Sequence, residues 1–214
     1  MKKSFFLIPL LASLILFSCG NSKKEDKSAD TKSTANTETA DTTKYYSIEQ
    51  GMIEYDITAM ETKGQLTVYW KDYGRVSYAT GKRDMMGTMV DTYTLKDGSY
   101  SYSWTSGSKT GTKESIDKEQ IGQLNYNDIT EDQRKKFSIQ ESGTEDFLGK
   151  TCKVYTFSYQ GATSKNWVWE GITLKTETSL EDVKAVEMIG TKLSLGTAAP
   201  DGVFEIPKDI EFRQ

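Results

Sequence analysis

The chain has 214 residues and is mildly acidic, with 27 basic and 31 acidic side chains and a formal net charge of −4. It contains no histidine and only two cysteines, Cys19 and Cys152. This composition lacks the basic patch that binds phosphate backbones, the commonest general base and the commonest metal ligand. We therefore expect no nucleic-acid partner, no metal, no cofactor and no catalytic site.

Residues 1–18 have the features of a signal peptide. Lys2 and Lys3 precede thirteen uncharged residues, 5–17, a run shorter than the roughly 20 residues that a membrane-spanning helix needs. The run ends in Leu16-Phe17-Ser18-Cys19, which resembles the lipobox of bacterial lipoproteins. In that family the peptide is cut before the cysteine, and the thiol and the new N-terminus are acylated, for example with palmitate. The resemblance implies a lipid anchor at Cys19.

Residues 19–44 are expected to form the lipidated cysteine and a disordered tether. Between residues 20 and 44 there is no aromatic side chain and no aliphatic one larger than alanine, so too little apolar surface exists to offset the entropy of ordering. Gly20, in place of an aspartate, favours the outer membrane. The charged run Lys23-Lys24-Glu25-Asp26 leaves open whether the protein faces the periplasm or the cell surface.

Residues 45–214 are expected to form one β-rich domain, because alternating apolar and polar residues begin there. Ile53, Tyr55 and Ile57 alternate with polar side chains, and a turn at 71–74 leads into a return strand. Asp97-Gly98 predicts a two-residue hairpin turn. Folding about it would pair three sets of residues: Leu95 with Tyr100, Tyr93 with Tyr102, and Asp91 with Trp104.

The helical content is expected between residues 112 and 137. Thr130 and Gln133 have the spacing of a capping box, which predicts a helix start. A shorter helix is expected over residues 114–124, on a broken apolar stripe.

Four further strand regions follow, at 152–159, 166–176, 185–195 and 203–212. Within the second, Glu170-Gly171 predicts a turn that pairs Trp169 with Ile172 and Trp167 with Leu174. That pairing places these four apolar side chains on one face of a hairpin.

Three segments carry a family resemblance: "FLGKTCKVYTFSY", "NWVWEGITLKTE" and "GVFEIPKDIEF". They resemble lipoproteins of the outer-membrane lipoprotein carrier (LolA/LolB-like) fold, in a poorly characterised Gram-negative group. The resemblance implies a mainly β (α+β) domain, with a strongly curved antiparallel sheet forming an unclosed half-barrel. It also implies a short helical insert covering the concave face.

The resemblance also implies a function. In carrier members an apolar cavity between sheet and helices holds acyl chains, so we expect a lipid-anchored outer-membrane protein that binds an apolar ligand. The candidate ligand-binding residues are Trp70, Trp104, Trp167, Trp169, Ile172 and Leu174. The same side chains are what a packed core requires. A structural lipoprotein that holds an envelope protein partner, with no ligand cavity, is the alternative.

Overall fold

The computed structural model describes residues 43–214, except 61, 86, 118, 119 and 182. The signal peptide, Cys19 and the tether up to residue 42 lie outside the described residues, so signal cleavage, lipidation and tether disorder stay predictions. Within the described part, no helix has the length and apolar character needed to cross a membrane.

In the described part of the chain, twelve strands form a single sheet. The first six are β1 (Gly51–Ala59), β2 (Thr62–Lys71), β3 (Val76–Met85), β4 (Thr88–Lys96), β5 (Tyr100–Thr105) and β6 (Thr110–Ser115). The others are β7 (Gln140–Phe147), β8 (Lys150–Tyr159), β9 (Ala162–Trp169), β10 (Ile172–Leu180), β11 (Val183–Leu195) and β12 (Glu211–Arg213). Turns of 3-10 helix lie at Asp72–Gly74 and Ile121–Gln123, and the helix α1 at Glu131–Lys136.

The sheet is open. Its strand order is β12-β6-β5-β4-β3-β2-β1-β11-β10-β9-β8-β7, so β12 and β7 are the two edges. Among these described strands, β12 and β6 form the one parallel pair. The mainly β, unclosed antiparallel sheet predicted from the sequence is confirmed, and it agrees with the LolA/LolB-like architecture that the motifs resemble.

The β9–β10 hairpin confirms one predicted turn and corrects its register. Glu170 and Gly171 both have positive φ, 51° and 81°, as a type I′ turn requires. Trp169 pairs with Ile172, as predicted. The predicted pairing of Trp167 with Leu174 is wrong, because a bulge at Leu174 adds one residue and sets Lys175 opposite Trp167.

The β4–β5 hairpin is also shifted from its predicted register. Leu95 pairs with Tyr102 and Tyr93 with Trp104, because the tip is Gly98-Ser99 and not Asp97-Gly98. The Asp97 carboxylate accepts hydrogen bonds from the backbone N–H groups of Ser99 and Tyr100, at 2.8 and 2.7 Å, and fixes that tip. A shift of two residues keeps every side chain on its predicted face.

Three other segments differ from expectation. The helix predicted over 114–124 is wrong, since this stretch ends β6 and then forms only the turn Ile121–Gln123 in its described part. The strand predicted over 203–212 is reduced to β12. The edge strand β7 has no predicted counterpart, because its residues are polar and exposed. The capping box is confirmed, with the Gln133 N–H donating to the Thr130 hydroxyl.

Two apolar clusters fill the domain. We call the larger one the tryptophan cluster; its buried members are Ile53, Tyr55, Trp70, Cys152, Val154, Trp167, Ile172 and Leu174. We call the other the insert cluster; its buried members are Leu124, Phe137, Ile139, Tyr155 and Val168.

The clusters lie on opposite faces of β8 and β9. Val154 pairs with Trp167 in the tryptophan cluster, whereas the adjacent Tyr155 and Val168 belong to the insert cluster. Neighbouring residues of a strand point to opposite faces. Over β8 and β9 the insert therefore packs against the face that carries Tyr155 and Val168, opposite Trp167.

Gly171 supplies a stability prediction, because this turn lies directly against the N-terminal segment. A Cβ at Gly171 would stand 2.1 Å from the carbonyl oxygen of Tyr45, whereas at Gly161, with φ of +82°, it would meet nothing within 4 Å. Both alanine substitutions carry the positive-φ cost of about 1 kcal/mol. We expect Gly171→Ala to lower the free energy of unfolding by about 2 kcal/mol more than Gly161→Ala, measured by urea denaturation. Equal losses would contradict the close approach.

Candidate binding site

Five of the six predicted ligand-binding residues lie together. Trp70, Trp167, Ile172 and Leu174 are 1%, 4%, 1% and 0% exposed, and Trp169 packs against them. Side chains of this cluster contact one another across β1, β2, β8, β9 and β10. They are core residues that fill the interior with their own atoms, as close packing of protein cores requires.

The buried tryptophans have their polar edges satisfied within the protein. The Trp70 indole N–H donates to the carbonyl oxygen of Ile48 at 3.2 Å, and the Tyr46 ring meets its ring edge-on. The Trp167 indole N–H donates to Glu145 at 2.7 Å. Both indole N–H groups therefore have hydrogen-bond partners within the protein, as buried indoles need. Neither N–H group is available to bond a ligand.

Two lysines hold the Trp167 ring. The Nζ atoms of Lys165 and Lys175 lie 4.4 and 4.3 Å from its centroid, within cation–π distance. Lys165 also donates to Glu145 at 2.8 Å. Hydrogen bonds from Lys165 and from the Trp167 indole lower the pKa of the Glu145 carboxyl. We call these four residues, Glu145, Lys165, Trp167 and Lys175, the Glu145 latch. Their contacts connect β7, β9 and β10.

Cys152 is a member of the same packed cluster. Its side chain is 0% exposed, and burial raises the pKa of its thiol. A buried, protonated thiol is a poor nucleophile, so Cys152 serves packing.

Trp104, the sixth predicted residue, lies apart in β5 and lines a groove. We define the Trp104 groove as the space between the β5–β6 turn, residues 105–109, and the C-terminal segment, residues 207–210, with Tyr93 and Trp104 as its aromatic floor. Its volume is about 440 Å³. That size falls in the range of about 300–1,000 Å³ that is common for ligand pockets.

Cross-strand pairing builds the aromatic floor. Tyr93 and Trp104 are paired residues of β4 and β5, and their rings lie 5.4 Å apart with planes 21° from parallel. Phe212 meets Trp104 edge-on at 5.8 Å. Because each ring contacts another on its own face of the sheet, the floor is held in place by neighbouring rings.

The C-terminal segment forms the opposite wall. It reaches the sheet through β12, which pairs with β6, and the Glu211 N–H donates to the Lys109 carbonyl at 2.9 Å. Phe212 packs over Gly111, where a Cβ would meet its ring at 2.7 Å. Lys109 and Asp209 face each other across the rim, with Nζ and Oδ2 3.6 Å apart.

Sequence reasoning identified Trp104 but missed the other walls of this groove. The alternation of Tyr93, Tyr102 and Trp104 in the predicted hairpin already placed an aromatic row on one face. Pro207 and Ile210 belong to a segment predicted as a strand, and nothing in its pattern indicates that it returns to β6. Among the described residues, no group of histidine, cysteine and acidic side chains could hold a metal ion.

No family model and no curated protein matches the chain. An uncharacterised conserved protein from Thermus thermophilus is similar in structure, with a TM-score of 0.55 and 9% identity over 78% of this chain and 91% of that one. MucB is similar with a TM-score of 0.48 and 11% identity, over 76% of this chain and 59% of MucB. A complex of Pseudomonas aeruginosa MucA and MucB is similar with a TM-score of 0.41 and 10% identity, over 75% of this chain and 56% of that one.

These likenesses concern the fold alone. At 9% identity, the Thermus protein shares the chain's architecture and says nothing of its ligand. The chain spans a little over half of the length of the MucB chains, and those scores, below 0.5, support no further argument.

The latch at Glu145 gives a pH-dependent prediction. A carboxyl whose pKa is lowered on folding contributes stability above its unfolded pKa, and the contribution is lost as the pH falls through the folded pKa. We expect Glu145→Gln to lower the melting temperature at pH 7 and to have a progressively smaller effect below the ordinary carboxyl pKa. Thermal unfolding across pH checks this.

The matched control is Glu141→Gln. Glu141 lies on the same strand and pairs with Lys153 at 3.8 Å, without an indole donor. We expect a smaller effect at pH 7 from this variant. A Glu145→Gln effect that is unchanged in acid would contradict the proposed latch.

Proposed function

We propose that this protein is a lipid-anchored, non-catalytic binding protein of the outer membrane that takes a small organic ligand in the Trp104 groove. The observation that carries the proposal is the groove itself, with its paired aromatic floor and polar rim. A few placed polar groups around an aromatic surface are typical of ligand sites. Of the predicted ligand residues, Trp104 lines this groove.

The proposal moves the ligand site away from the interior of the sheet. An acyl chain would need a continuous apolar cavity, and the tryptophan cluster is filled by side chains such as Leu174 and Ile172, at 0% and 1% exposure. Displacing such side chains would cost about 2–5 kcal/mol each in lost packing. The groove needs no such displacement, because it is open to solvent.

The N-terminal sequence supports the proposed location. The run ending at Cys19 has the lipobox pattern, and two or more acyl chains give stable membrane anchoring where one does not. A tether of about 25 residues reaches roughly 25–30 Å as a flexible coil, enough to hold the domain clear of the lipid head groups.

The open edge at β7 supports a second candidate function, the holding of an envelope protein partner. β7 spans eight residues, seven of them exposed, and among the described strands it pairs only with β8. An unpaired edge can accept an extended segment as an additional strand.

Ligand binding is tested with residues 20–214, lacking Cys19, and the fluorescent probe 8-anilinonaphthalene-1-sulfonate. We expect saturable binding at one site, weakened about tenfold (about 1.4 kcal/mol) by Trp104→Ala. The matched control is Tyr159→Ala on β8, which removes a ring that is 36% exposed and packs edge-on against Phe137, outside the groove lining. Circular dichroism checks that both variants fold. Absence of saturable binding would overturn the groove function and favour strand addition at β7.

Anchoring is tested with the full chain in a Gram-negative host. We expect the mature protein in the outer-membrane fraction. Blocking the lipoprotein signal peptidase should leave uncleaved precursor, and Cys19→Ser should remove the acyl mass seen by mass spectrometry. Normal processing of the Cys19→Ser variant would refute the anchor.

A further inference from the structure

We propose that one end of the sheet docks on the surface of the lipid bilayer in which the protein is anchored. The contact surface is a set of four apolar side chains, which we call the apolar strip: Met60, Tyr159, Leu180 and Val183. The inference rests on the proposed lipid anchor and adds a second contact with the same membrane. It uses none of the residues that line the Trp104 groove.

Strand pairing brings three members of the apolar strip together. Tyr159 pairs with Ala162, Ala162 with Leu180, and Leu180 with Val183. These residues form one row across β8, β9, β10 and β11, and residues paired across strands point to the same face of a sheet. The row is the last one before the β8–β9 and β10–β11 turns, so it lies at the outer end of the sheet.

The fourth member, Met60, lies in the β1–β2 turn beside this row. Its N–H donates to the carbonyl oxygen of Ala185 at 2.8 Å, two residues along β11 from Val183. Met60, Leu180 and Val183 are 55%, 40% and 69% exposed. Large apolar side chains that are exposed together on a folded domain are typical of a surface that meets a partner or a membrane.

The position of the strip on hairpin ends fits shallow contact with a bilayer. Leu180 and Val183 flank the β10–β11 turn, and Tyr159 precedes the turn at Gln160 and Gly161. Backbone groups of turns cannot enter hydrocarbon without hydrogen-bond partners, so the side chains enter the head-group layer while the turns stay hydrated. Tyrosine is common at that depth, because its ring is apolar and its hydroxyl is polar.

The N-terminal segment joins the domain at the opposite end of the sheet. The Tyr45 and Tyr46 N–H groups each donate to the Tyr73 carbonyl at 2.9 Å, and the Ser47 N–H donates to the Glu170 carbonyl at 3.0 Å. Tyr73 and Glu170 lie in the β2–β3 and β9–β10 turns. Because antiparallel strands alternate in direction, these turns are at the end opposite to the apolar strip.

The length of the tether lets the strip reach the anchoring membrane. β1 has nine residues, so the two ends of the sheet are about 30 Å apart at 3.3 Å per residue. The tether predicted for residues 20–44 has an average reach of roughly 25–30 Å as a flexible coil. It can therefore run back along the sheet without being stretched. The anchor also keeps the strip at a high local concentration near the lipid, so that a weak contact is sufficient.

The charges next to Val183 favour a zwitterionic lipid surface. The charge of Lys184 is balanced by Glu177 and Glu187, whose carboxylate oxygens lie 3.9 and 2.7 Å from its Nζ. The β10–β11 turn also carries the exposed acidic residue Glu181. Anionic lipids attract segments with an excess of basic side chains, which this hairpin lacks in its described residues. The partner is therefore a bilayer rich in phosphatidylethanolamine.

The experiment places a fluorescent label on the strip of the full lipoprotein. Val183→Cys is labelled with nitrobenzoxadiazole, and the acylated protein is reconstituted in vesicles of phosphatidylethanolamine and phosphatidylcholine. Cys152 is buried, so the label reacts with the new thiol. We expect a blue-shifted emission that is quenched by nitroxide on the lipid head group. The matched control is Leu148→Cys, an exposed apolar position in the β7–β8 turn at the opposite end, where the label should behave as in water.

Further substitutions test the apolar contact itself. In the Val183-labelled protein, Met60→Ser with Leu180→Ser should reduce the quenching at least threefold, because both apolar contacts with the head-group layer are lost. Leu148→Ser with Leu195→Ser, which changes two exposed apolar side chains outside the strip, should leave the quenching unchanged. Circular dichroism checks that all variants fold. Equal quenching in the two double variants would overturn the proposed contact.

The outcomes separate this inference from the proposed function. If the protein is not acylated and does not float with vesicles, both the anchor and the docking are overturned. If it floats but the labels at Val183 and Leu148 give the same emission, the docking is overturned and the anchor stands. A blue shift without lipid that grows with protein concentration would show that a second copy covers the strip, and it would also overturn the docking.

Discussion

The antiparallel pairing of β1 with β11 is the contact on which the rest of the fold depends. It joins two runs of strands, β1–β6 and β7–β11, within each of which the strands pair with their sequence neighbours. Ile53 pairs with Leu193, 140 residues later, and the tryptophan cluster then assembles on both sides of the joint. Such a long-range pairing has a high loop-closure cost, which the burial of these large side chains offsets.

A sheet of this kind can bind a ligand in its interior only if its own side chains do not fill that space. A curved sheet can enclose a ligand or enclose its own side chains, and here Trp70, Trp167 and Leu174 occupy that space. The insert packs on the other face of β8 and β9, through Phe137 and Ile139. A ligand is thus left to the periphery, where the C-terminal segment meets the β5–β6 turn. The Trp104 groove combines, in one place, an aromatic surface and hydroxyls that no described residue engages.

The register errors show where local sequence rules stop. At Asp97 the side chain accepts two backbone hydrogen bonds and moves the hairpin tip by one residue. At Leu174 a bulge adds a residue. Both turns were predictable from Gly98 and Gly171, since two-residue turns need positive φ. The exact pairing was not, because it depends on side-chain hydrogen bonds and packing against neighbouring strands.

The β-rich class, the alternation that buries Ile53 and Trp70, and the capping box at Thr130 could be predicted from local sequence, because they depend on neighbours within a few residues. Residues 16–19 also resemble a lipobox, which predicts the anchor at Cys19. The three-dimensional fold was needed to show that five predicted ligand residues form a filled core and that Trp104 lines a groove. The reason is that the groove needs β12 to return to β6, about 100 residues earlier, and contacts at that separation leave no local pattern.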